Sequence, residues 1–282
     1  MKFQKIALLG VGLIGASLGK ALRVRGLAEC VTGVGRSLKN LEEALERGCV
    51  TEIVTSGELE KAVSGAQLVV VCTPVGTVVP SIRECAKFST SDTIFTDAGS
   101  TKLQIVRDLQ TLPGNCIFVG GHPIAGKETS GAAAADENLY VEKLTVLTPS
   151  ANTPAAAVER VRELWESVGS RVVCMSAEEH DAALAAVSHL PHIVSCVLSE
   201  STDPALLPYS GTGYQSVSRL SAGNVEVWRD ILLANRAPIL EAMERYQTHL
   251  ERFRTLLAAG DAAGLEAFLT QARQSSAALH ED

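Results

Sequence analysis

Gly10-Val11-Gly12-Leu13-Ile14-Gly15 is the stretch of sequence that decides the fold. It follows an apolar run at Ile6–Leu9, opens a helix predicted over Leu13–Arg25, and precedes a second apolar run at Val31–Val34. A G-x-G-x-x-G motif in this setting is typical of dinucleotide-binding βαβ units, because its glycines permit a tight turn, close approach of a pyrophosphate and close packing of helix on strand. We therefore expect a dinucleotide at the start of this helix, the alternative being a glycine turn without a ligand.

Apolar runs and helical patterns alternate through the first 176 residues. The pattern predicts further strands at Leu68–Cys72, Thr93–Thr96, Ile117–Val119, Leu144–Thr148 and Arg171–Cys174, and helices at Leu38–Arg47 and Pro154–Val168. Such alternation predicts a parallel sheet with helices on both faces, that is, an α/β domain with a Rossmann-type doubly wound sheet over residues 1–176.

The pattern changes after residue 176. Ala177–Glu200 has no strand candidate, Trp228–Leu257 has an apolar period close to 3.6, and Leu265–Leu279 is one more predicted helix. Thr202–Asn224, with two prolines and three glycines, is predicted to be a loop. We therefore expect an all-α domain over residues 177–282, whose uncovered apolar face predicts a homodimer.

Composition excludes several classes of protein. Among 282 residues, 46% are hydrophobic and 20% charged, which excludes a disordered chain, and a net charge of −7 argues against a nucleic-acid binder. The seven cysteines are widely spaced and odd in number, which indicates reduced thiols in a cytoplasmic protein. Glycines interrupt the apolar N-terminus, unlike a secretory signal, and the later apolar run Leu68–Val79 is too short to span a bilayer. We therefore expect a protein that is neither exported nor embedded in a membrane.

Two segments at strand ends bear on the cofactor. An acidic residue for the ribose hydroxyls usually follows the glycine motif by about twenty residues, but here the sequence is Gly35-Arg36-Ser37. Arg36 and Ser37 can bind a 2′-phosphate, which favours NADP, whereas an Arg36 that only stacks on adenine permits NAD or NADP. Thr73-Pro74 follows another predicted strand, where ligands of parallel sheets bind, and is also predicted to contact the cofactor.

Two more segments follow predicted strands and carry polar groups. Asp97–Lys102 includes Ser100, which is also a good helix N-cap. Gly120–Gly131 contains His122, which is either a base, with an ordinary pKa near 6.5, or an ordinary loop histidine.

A histidine pair lies in the helical half, in Ser188-His189-Leu190-Pro191-His192. A metal site here lacks an evident third ligand, for which only His180 or Asp181 is a candidate. We therefore interpret the segment as a helix kinked at Pro191 with hydrogen-bonded histidines, and expect no metal.

Together these segments resemble the prephenate/arogenate dehydrogenases, in the family's order and from residue 5 to about 235. The motifs that carry the resemblance are Gly10–Gly15, Asp97–Lys102, G-G-H-P-I-A-G-K-E-T-S-G from Gly120, Ser188–His192, Ser218-Arg219 and Trp228–Ile231. The resemblance implies a nicotinamide-binding domain followed by a helical dimerisation domain. It also implies oxidative decarboxylation of prephenate to 4-hydroxyphenylpyruvate with NAD(P) in tyrosine biosynthesis, or of L-arogenate to L-tyrosine.

The resemblance also implies roles for single residues. His122 would accept the proton of the substrate's ring hydroxyl, and Ser100 would lie near that hydroxyl and the nicotinamide. The substrate pocket would be lined by Ser188, His189, His192 and Arg219, the last of which would bind a carboxylate. The sequence departs from the family at Gly213–Val217, where a G-F-R-D-like run is usual.

Two other functions remain open at this point. Dehydrogenases of the same architecture that act on 3-hydroxyacids or 6-phosphogluconate use a lysine of the helical domain as acid and base, and Ala177–Glu200 contains none. A non-catalytic dinucleotide sensor would keep the glycine motif but need not keep His122 together with Arg219.

Overall fold

The computed structural model describes residues 2–90, 92–127, 129 and 131–277. Within them, eight strands form one sheet in the order β3-β2-β1-β4-β5-β6-β7-β8. The strands are β1 (Phe3–Leu9), β2 (Ala28–Gly35), β3 (Glu52–Thr55), β4 (Leu68–Val71), β5 (Ile94–Asp97), β6 (Ile117–Pro123), β7 (Leu144–Thr148) and β8 (Arg171–Cys174). The strand order reverses between β1 and β4, which is where open sheets of this kind bind ligands.

The sheet is parallel except between β6 and β7, which are antiparallel. The predicted doubly wound parallel sheet is confirmed, and this antiparallel pair is its one exception within the described chain. A parallel pair requires a crossover, usually a helix, and the described part of the link from β6 to β7 contains only a 3₁₀ turn, Ala132–Ala134. The antiparallel pairing brings His122 of β6 opposite Val146 of β7.

In the described chain up to residue 176, six helices cover the sheet. They are α1 (Leu13–Val24), α2 (Leu38–Glu46), α3 (Leu59–Val63), α4 (Val75–Ala86), α5 (Leu103–Asp108) and α6 (Ala155–Ser167). The bounds of the predicted strands and helices agree with those of the observed elements within a few residues. The sequence did not predict β3, α3, α4 or α5, because β3 is only partly buried, α3 and α5 span a turn or two, and α4 contains Pro80.

Strand β1 is buried on both faces. Ile6 and Leu8 pack in one core with helix α1, and Ala7 and Leu9 pack in the core on the opposite face with helix α4. Complete burial of a leucine or isoleucine stabilises a fold by about 1.5–3 kcal/mol, so this strand anchors the glycine motif that follows it.

Beyond residue 176 the described chain contains helices and helical turns but no strand. They are α7 (Ala177–Leu184), a π turn (Ala185–His189), α8 (Leu190–Ser201), α9 (Thr212–Ser218), α10 (Val225–Ala234), α11 (Arg236–Ala258) and α12 (Ala262–Ala277), with 3₁₀ turns at Pro204–Tyr209 and Arg219–Ala222. The loop predicted at 202–224 is therefore wrong, because α9 and both 3₁₀ turns lie within it. The predicted helix Leu265–Leu279 begins earlier, and its last two residues lie outside the described chain.

The helix predicted over Trp228–Leu257 is broken at Asn235. Pro238 explains the break, because proline in the interior of a helix leaves the carbonyl four residues earlier without a donor and clashes with it. Here Pro238 lies in the first turn of α11, where no intrahelical donor is needed. The Asn235 side chain is thereby turned towards α7, and its Nδ2 donates to the Asp181 carbonyl at 2.8 Å.

A π turn stands where the sequence predicted a helix kinked at Pro191. Its wider winding displaces the carbonyls that the proline ring would otherwise meet, so α8 continues past Pro191. By length and composition, Ala177–Ser201 is the one helix of the described chain that is long and apolar enough to cross a membrane. It carries the buried polar residues His180, Asp181 and His189, and 28% of its apolar window is buried.

Candidate active site

A first cavity, of about 710 Å³, opens at the carboxyl ends of β1, β2 and β4. Of the predicted cofactor residues it is lined by Gly10, Gly12, Arg36, Ser37, Thr73 and Pro74. Leu13 and Ile14 instead pack against the core, and Gly15 lies in the first turn of α1. The cavity coincides with the point where the strand order reverses.

The three motif glycines do different things in this cavity. Gly10 has a φ of +91°, which only glycine adopts readily, and a Cβ at Gly15 would lie 2.0 Å from the Gly10 carbonyl oxygen. A Cβ at Gly12 would meet nothing within 4 Å, so the space beside it is open. The Thr73 hydroxyl oxygen in the same cavity is buried and has no hydrogen-bond partner within the described chain. These features fit a dinucleotide whose pyrophosphate passes Gly12.

The rim of this cavity carries the residues relevant to a 2′-phosphate. Gly35 ends β2, and Arg36 is exposed directly after it. The Ser37 hydroxyl caps α2 by accepting from the Asn40 amide at 3.4 Å. None of the described residues that line the cavity is acidic.

A second cavity, of about 850 Å³, lies between the loop after β6 and the helical half of the chain. The structure brings together in it all of the predicted catalytic and substrate residues, namely Ser100, His122, Ser188, His189, His192 and Arg219. Trp228 of α10, Lys127 and Asn224 also line it. Arg219 is exposed and begins a 3₁₀ turn, whereas the departing segment Gly213–Val217 lies in α9 outside the lining.

The loops beneath His122 are held by the Asp97 carboxylate. Its Oδ1 accepts from the Gly121 amide at 3.1 Å, and its Oδ2 accepts from the Gly99 amide at 2.9 Å. Oδ2 also pairs with the ammonium of Lys102, which is completely buried. Burial lowers the pKa of Lys102, and the neighbouring Asp97 opposes that shift. Asp97 and Lys102 thus connect β5, β6 and α5 at the floor of the site.

His122 contacts a second histidine that sequence reasoning considered only as a metal ligand. Its Nδ1 lies 2.8 Å from Nε2 of His180, whose Nδ1 lies 2.8 Å from Oδ1 of Asp181. Burial holds the pKa of His122 well below its ordinary value, and the nearby His180 ring, Lys102 ammonium and His189 ring lower it further. The His122 ring is therefore neutral at neutral pH. The described residues contain no group of side chains with metal-binding geometry.

Helix α5 begins at Leu103 and its N-cap residue is Lys102, so the alternative that Ser100 caps a helix is wrong. Instead, the Asp181 carboxylate accepts from the Lys102 and Leu103 amides, at 2.7 and 2.9 Å. Ser100 is left half-buried at the edge of the second cavity. The carboxylate of Asp181, from α7, therefore accepts from the amides at the start of α5.

His189 and His192 present ring nitrogens without partners within the described chain. The Asn235 amide Nδ2, a donor, lies 3.0 Å from Nδ1 of His189, so this nitrogen accepts and the hydrogen of the neutral ring is on Nε2. Nε2 of His189 and Nδ1 of His192 are buried and unpartnered. Burial lowers the pKa of His189 to about 4. Both rings can thus hydrogen-bond to a ligand while remaining neutral.

Trp228 fixes the position of these rings. Its indole is stacked on His192 with ring centroids 3.5 Å apart and packs edge-on against His189. A Cβ at Gly223 would lie 2.4 Å from Trp228 Nε1, so this glycine permits the close packing. Sequence periodicity places Trp228 on an apolar helix face but gives no sign that it supports two histidines.

Two family models match consecutive parts of this chain. The model of "Prephenate dehydrogenase, nucleotide-binding domain" matches residues 18–174, and that of "Prephenate dehydrogenase, dimerization domain" matches residues 176–271. Cyclohexadienyl dehydrogenase of Zymomonas mobilis is 32% identical, over 99% of this chain and 97% of the relative.

Two solved structures resemble the whole chain. Prephenate dehydrogenase from Aquifex aeolicus, in complex with hydroxyphenyl propionate and NAD+, has a TM-score of 0.92 and 31% identity, and the match covers 99% of each chain. Arogenate dehydrogenase of Synechocystis has a TM-score of 0.84 and 30% identity, covering 98% of this chain and 100% of the other.

Proposed function

The chain belongs to the prephenate dehydrogenase family, a family of NAD-dependent oxidoreductases, and from this premise we propose that it oxidatively decarboxylates prephenate to 4-hydroxyphenylpyruvate. The observation that carries the proposal is the second cavity. It combines a buried neutral His122, unpartnered ring nitrogens of His189 and His192 and the guanidinium of Arg219, in a chain that also carries a dinucleotide-binding motif. A dinucleotide sensor without catalysis requires none of these groups.

The roles of the residues follow from their chemistry. When bound, the nicotinamide accepts the hydride that leaves the hydroxyl-bearing ring carbon of the substrate. His122 takes the hydroxyl proton, and Ser100 hydrogen-bonds the same hydroxyl. Arg219 binds a substrate carboxylate through its planar fork of donors. Because loss of carbon dioxide makes the ring aromatic, the protein mainly has to align the reactants and supply the base.

We assign prephenate rather than arogenate as the substrate because of the charged groups that line the second cavity. Prephenate carries a keto group where arogenate carries an ammonium group, and both carry two carboxylates. The described residues that line the cavity include Lys127, Arg219 and the ring nitrogens of His189 and His192, and none of them is acidic. The described lining therefore offers an ammonium group no carboxylate, whereas its cationic side chains can donate to a keto oxygen. Arogenate remains the alternative substrate, and another hydroxyacid-type dehydrogenase of this architecture is disfavoured because Ala177–Glu200 has no lysine.

For the cofactor, we propose that NADP binds at least as well as NAD. Gly35 stands where an acid would repel a 2′-phosphate, and Arg36 and Ser37 follow at the rim of the first cavity. Cofactor contacts are assigned to Gly10, Gly12, Thr73 and Pro74, which line the cavity, and to the backbone of Leu13, Ile14 and Gly15 in the first turn of α1, whose amides face an anion at the helix start.

We also propose a division of the chain at residue 176 and a homodimer through the second part. The last strand ends at Cys174 and α7 begins at Ala177, which supports the boundary. Apolar side chains on α10 and α11 are more than half exposed, among them Leu233, Leu240 and Leu250. A second copy of the chain is the occupant that the family's dimerisation domain suggests. Seven free cysteines support a cytoplasmic protein.

One assay tests the proposed function. Initial rates of nicotinamide reduction are measured with prephenate and with arogenate, each with NAD and with NADP. We expect the highest kcat/KM with prephenate and at least equal kcat/KM with NADP as with NAD. A higher kcat/KM with arogenate would reverse the substrate assignment, and no reduction in any of the four reactions would refute the function.

A further inference from the structure

A continuous chain of hydrogen bonds runs from His122 to a carboxylate in the other half of the protein. His122 Nδ1 lies 2.8 Å from His180 Nε2, and His180 Nδ1 lies 2.8 Å from Asp181 Oδ1. The exposed fractions of His122, His180 and Asp181 are 8%, 0% and 1%. Water therefore does not compete for these bonds.

Asp181 ends this chain as an ionised acceptor. Burial by itself would raise the pKa of Asp181, but hydrogen bonds from His180 and from the Leu103 and Lys102 amides outweigh it and lower the pKa below its usual value. The two amides lie 2.9 and 2.7 Å from the carboxylate and can only donate. An ionised carboxylate has no hydrogen to offer, so every bond that it makes is accepted.

The tautomers of both histidines follow from this end point. His180 Nδ1 has to donate to Asp181, and a neutral imidazole has only one N–H, so His180 Nε2 is an acceptor. His122 Nδ1 then has to donate to His180. The lone pair of His122 is left on Nε2, the ring nitrogen that takes no part in the chain, on a side chain that lines the second cavity.

We propose that His180 and Asp181 are positioning residues for His122: they fix the tautomer in which Nε2 is the base, and the Asp181 carboxylate stabilises the positive charge that the histidine pair acquires with the substrate's proton. This inference rests on the proposed function, since it presumes that His122 is the base. One proton is gained at His122 Nε2, and no group is oxidised or reduced in the step. The carboxylate itself stays ionised throughout.

Charged and titratable groups face His122 from every element packed around it. His180 and Asp181 lie in α7, and His189 lies in the π turn. Lys102 immediately precedes α5, and Asp97 is the last residue of β5. Of these, the His180 and His189 rings and Lys102 disfavour a protonated His122. Asp97 is already engaged with Lys102 and two amides. Asp181 is thus the carboxylate whose interaction reaches His122 through a hydrogen-bonded partner.

The alternative is that Asp181 serves only to fasten α7 to α5. The proposal requires one tautomer of His122, which nitrogen NMR of ¹⁵N-histidine-labelled protein reports without substrate or cofactor, whereas kinetics distinguish it from a fastener. The protein has six histidines, and the His122 resonances are those absent from the His122→Asn spectrum. We expect the neutral wild-type His122 to carry its hydrogen on Nδ1. A hydrogen on Nε2 would overturn the proposal.

Kinetics of Asp181→Asn supply the second readout. We expect kcat with prephenate to fall by about 10²–10⁴-fold, while KM for prephenate and the cofactor Kd change by less than about threefold. The acid limb of the kcat–pH profile should move to lower pH, because the protonated histidine pair has lost its counter-charge. Glu179→Gln is the matched control, since this exposed carboxylate on the same helix bonds only Ser176 and should leave kcat and its pH profile unchanged.

The outcomes separate this proposal from the proposed function. A normal kcat and pH profile with a lowered Tm in Asp181→Asn would make Asp181 a purely structural fastener. If that variant does not fold, the tautomer of the wild-type protein still supports or overturns the assignment of Nε2 as the basic nitrogen. Wild-type protein that reduces nicotinamide with neither prephenate nor arogenate would refute the function, whereas the tautomer could still be as expected.

Discussion

Substitution of Gly12 by alanine separates dinucleotide binding from folding. Gly12 has a φ of −74° and ψ of −163°, which alanine also adopts, and an added Cβ would meet nothing within 4 Å. The free energy of unfolding should therefore be unchanged or rise by about 0.4–1 kcal/mol, since alanine restricts the unfolded chain. The same methyl group would occupy the space through which a pyrophosphate approaches the backbone. We expect the Kd of the nicotinamide cofactor to rise at least about tenfold, or roughly 1.4 kcal/mol.

Titration of protein fluorescence with NAD and NADP measures the Kd, and thermal unfolding of the free protein measures Tm. Gly15→Ala is the matched control, because its Cβ would lie 2.0 Å from the Gly10 carbonyl oxygen. Overpacking of this kind costs about 1–3 kcal/mol, so the Tm of this control should fall. A Gly12→Ala variant that binds the cofactor with wild-type affinity would refute the assignment of the first cavity.

Three further predictions concern charged and titratable side chains. Arg36→Ala should weaken NADP binding selectively, by about 1.5–3 kcal/mol; equal changes in the Kd of NAD and NADP would mean that Arg36 only stacks. Arg219→Ala should raise the KM for prephenate by about 10²-fold with little change in Tm, and Arg219→Lys should recover only part of the loss; a lowered Tm with an unchanged KM would make the residue structural. Because the pKa of His189 is about 4 in the folded protein against 6.5 in the unfolded chain, the unfolded state binds more protons as the pH falls through this window. Its contribution to stability, about 3 kcal/mol, should thus be lost between pH 6.5 and 4 in denaturant titrations, and His189→Gln should lack this part of the loss; parallel pH curves for the two proteins would count against it.

The sheet and its cofactor motif were predictable because each depends on a local pattern. Buried apolar runs such as Leu68–Val71 and the glycine spacing after β1 are read directly from the sequence. Edge strand β3, which is only partly buried, and the short helix α3 lack such a pattern and were not predicted. The antiparallel β6–β7 pair depends on the path of a connection, which apolar periodicity does not encode.

The candidate site was predictable only in part for a related reason. His122 and Ser100 stand in polar segments that follow predicted strands, whereas the role of Arg219 came only from the family resemblance; the structure brings all three to one cavity. His180 contacts His122, which is 58 residues away in the sequence, and Asp181 contacts Leu103 of α5, which is 78 residues away. No local sequence pattern indicates such contacts. The break at Asn235 could have been expected from Pro238, but its use to orient His189 could not.

Parallel measurement of reduced nicotinamide and carbon dioxide across pH tests whether His122 is the base of an oxidative decarboxylation. We expect wild-type protein to form the two products in a one-to-one ratio from prephenate, with kcat level from neutral pH to below 6.5 and falling only at lower pH, because burial lowers the pKa of His122. His122→Asn should lose about 10²–10⁴-fold in kcat and lack the acid limb, with cofactor Kd unchanged. Reduced nicotinamide without carbon dioxide, or a variant that retains more than about a tenth of wild-type kcat, would contradict the claim.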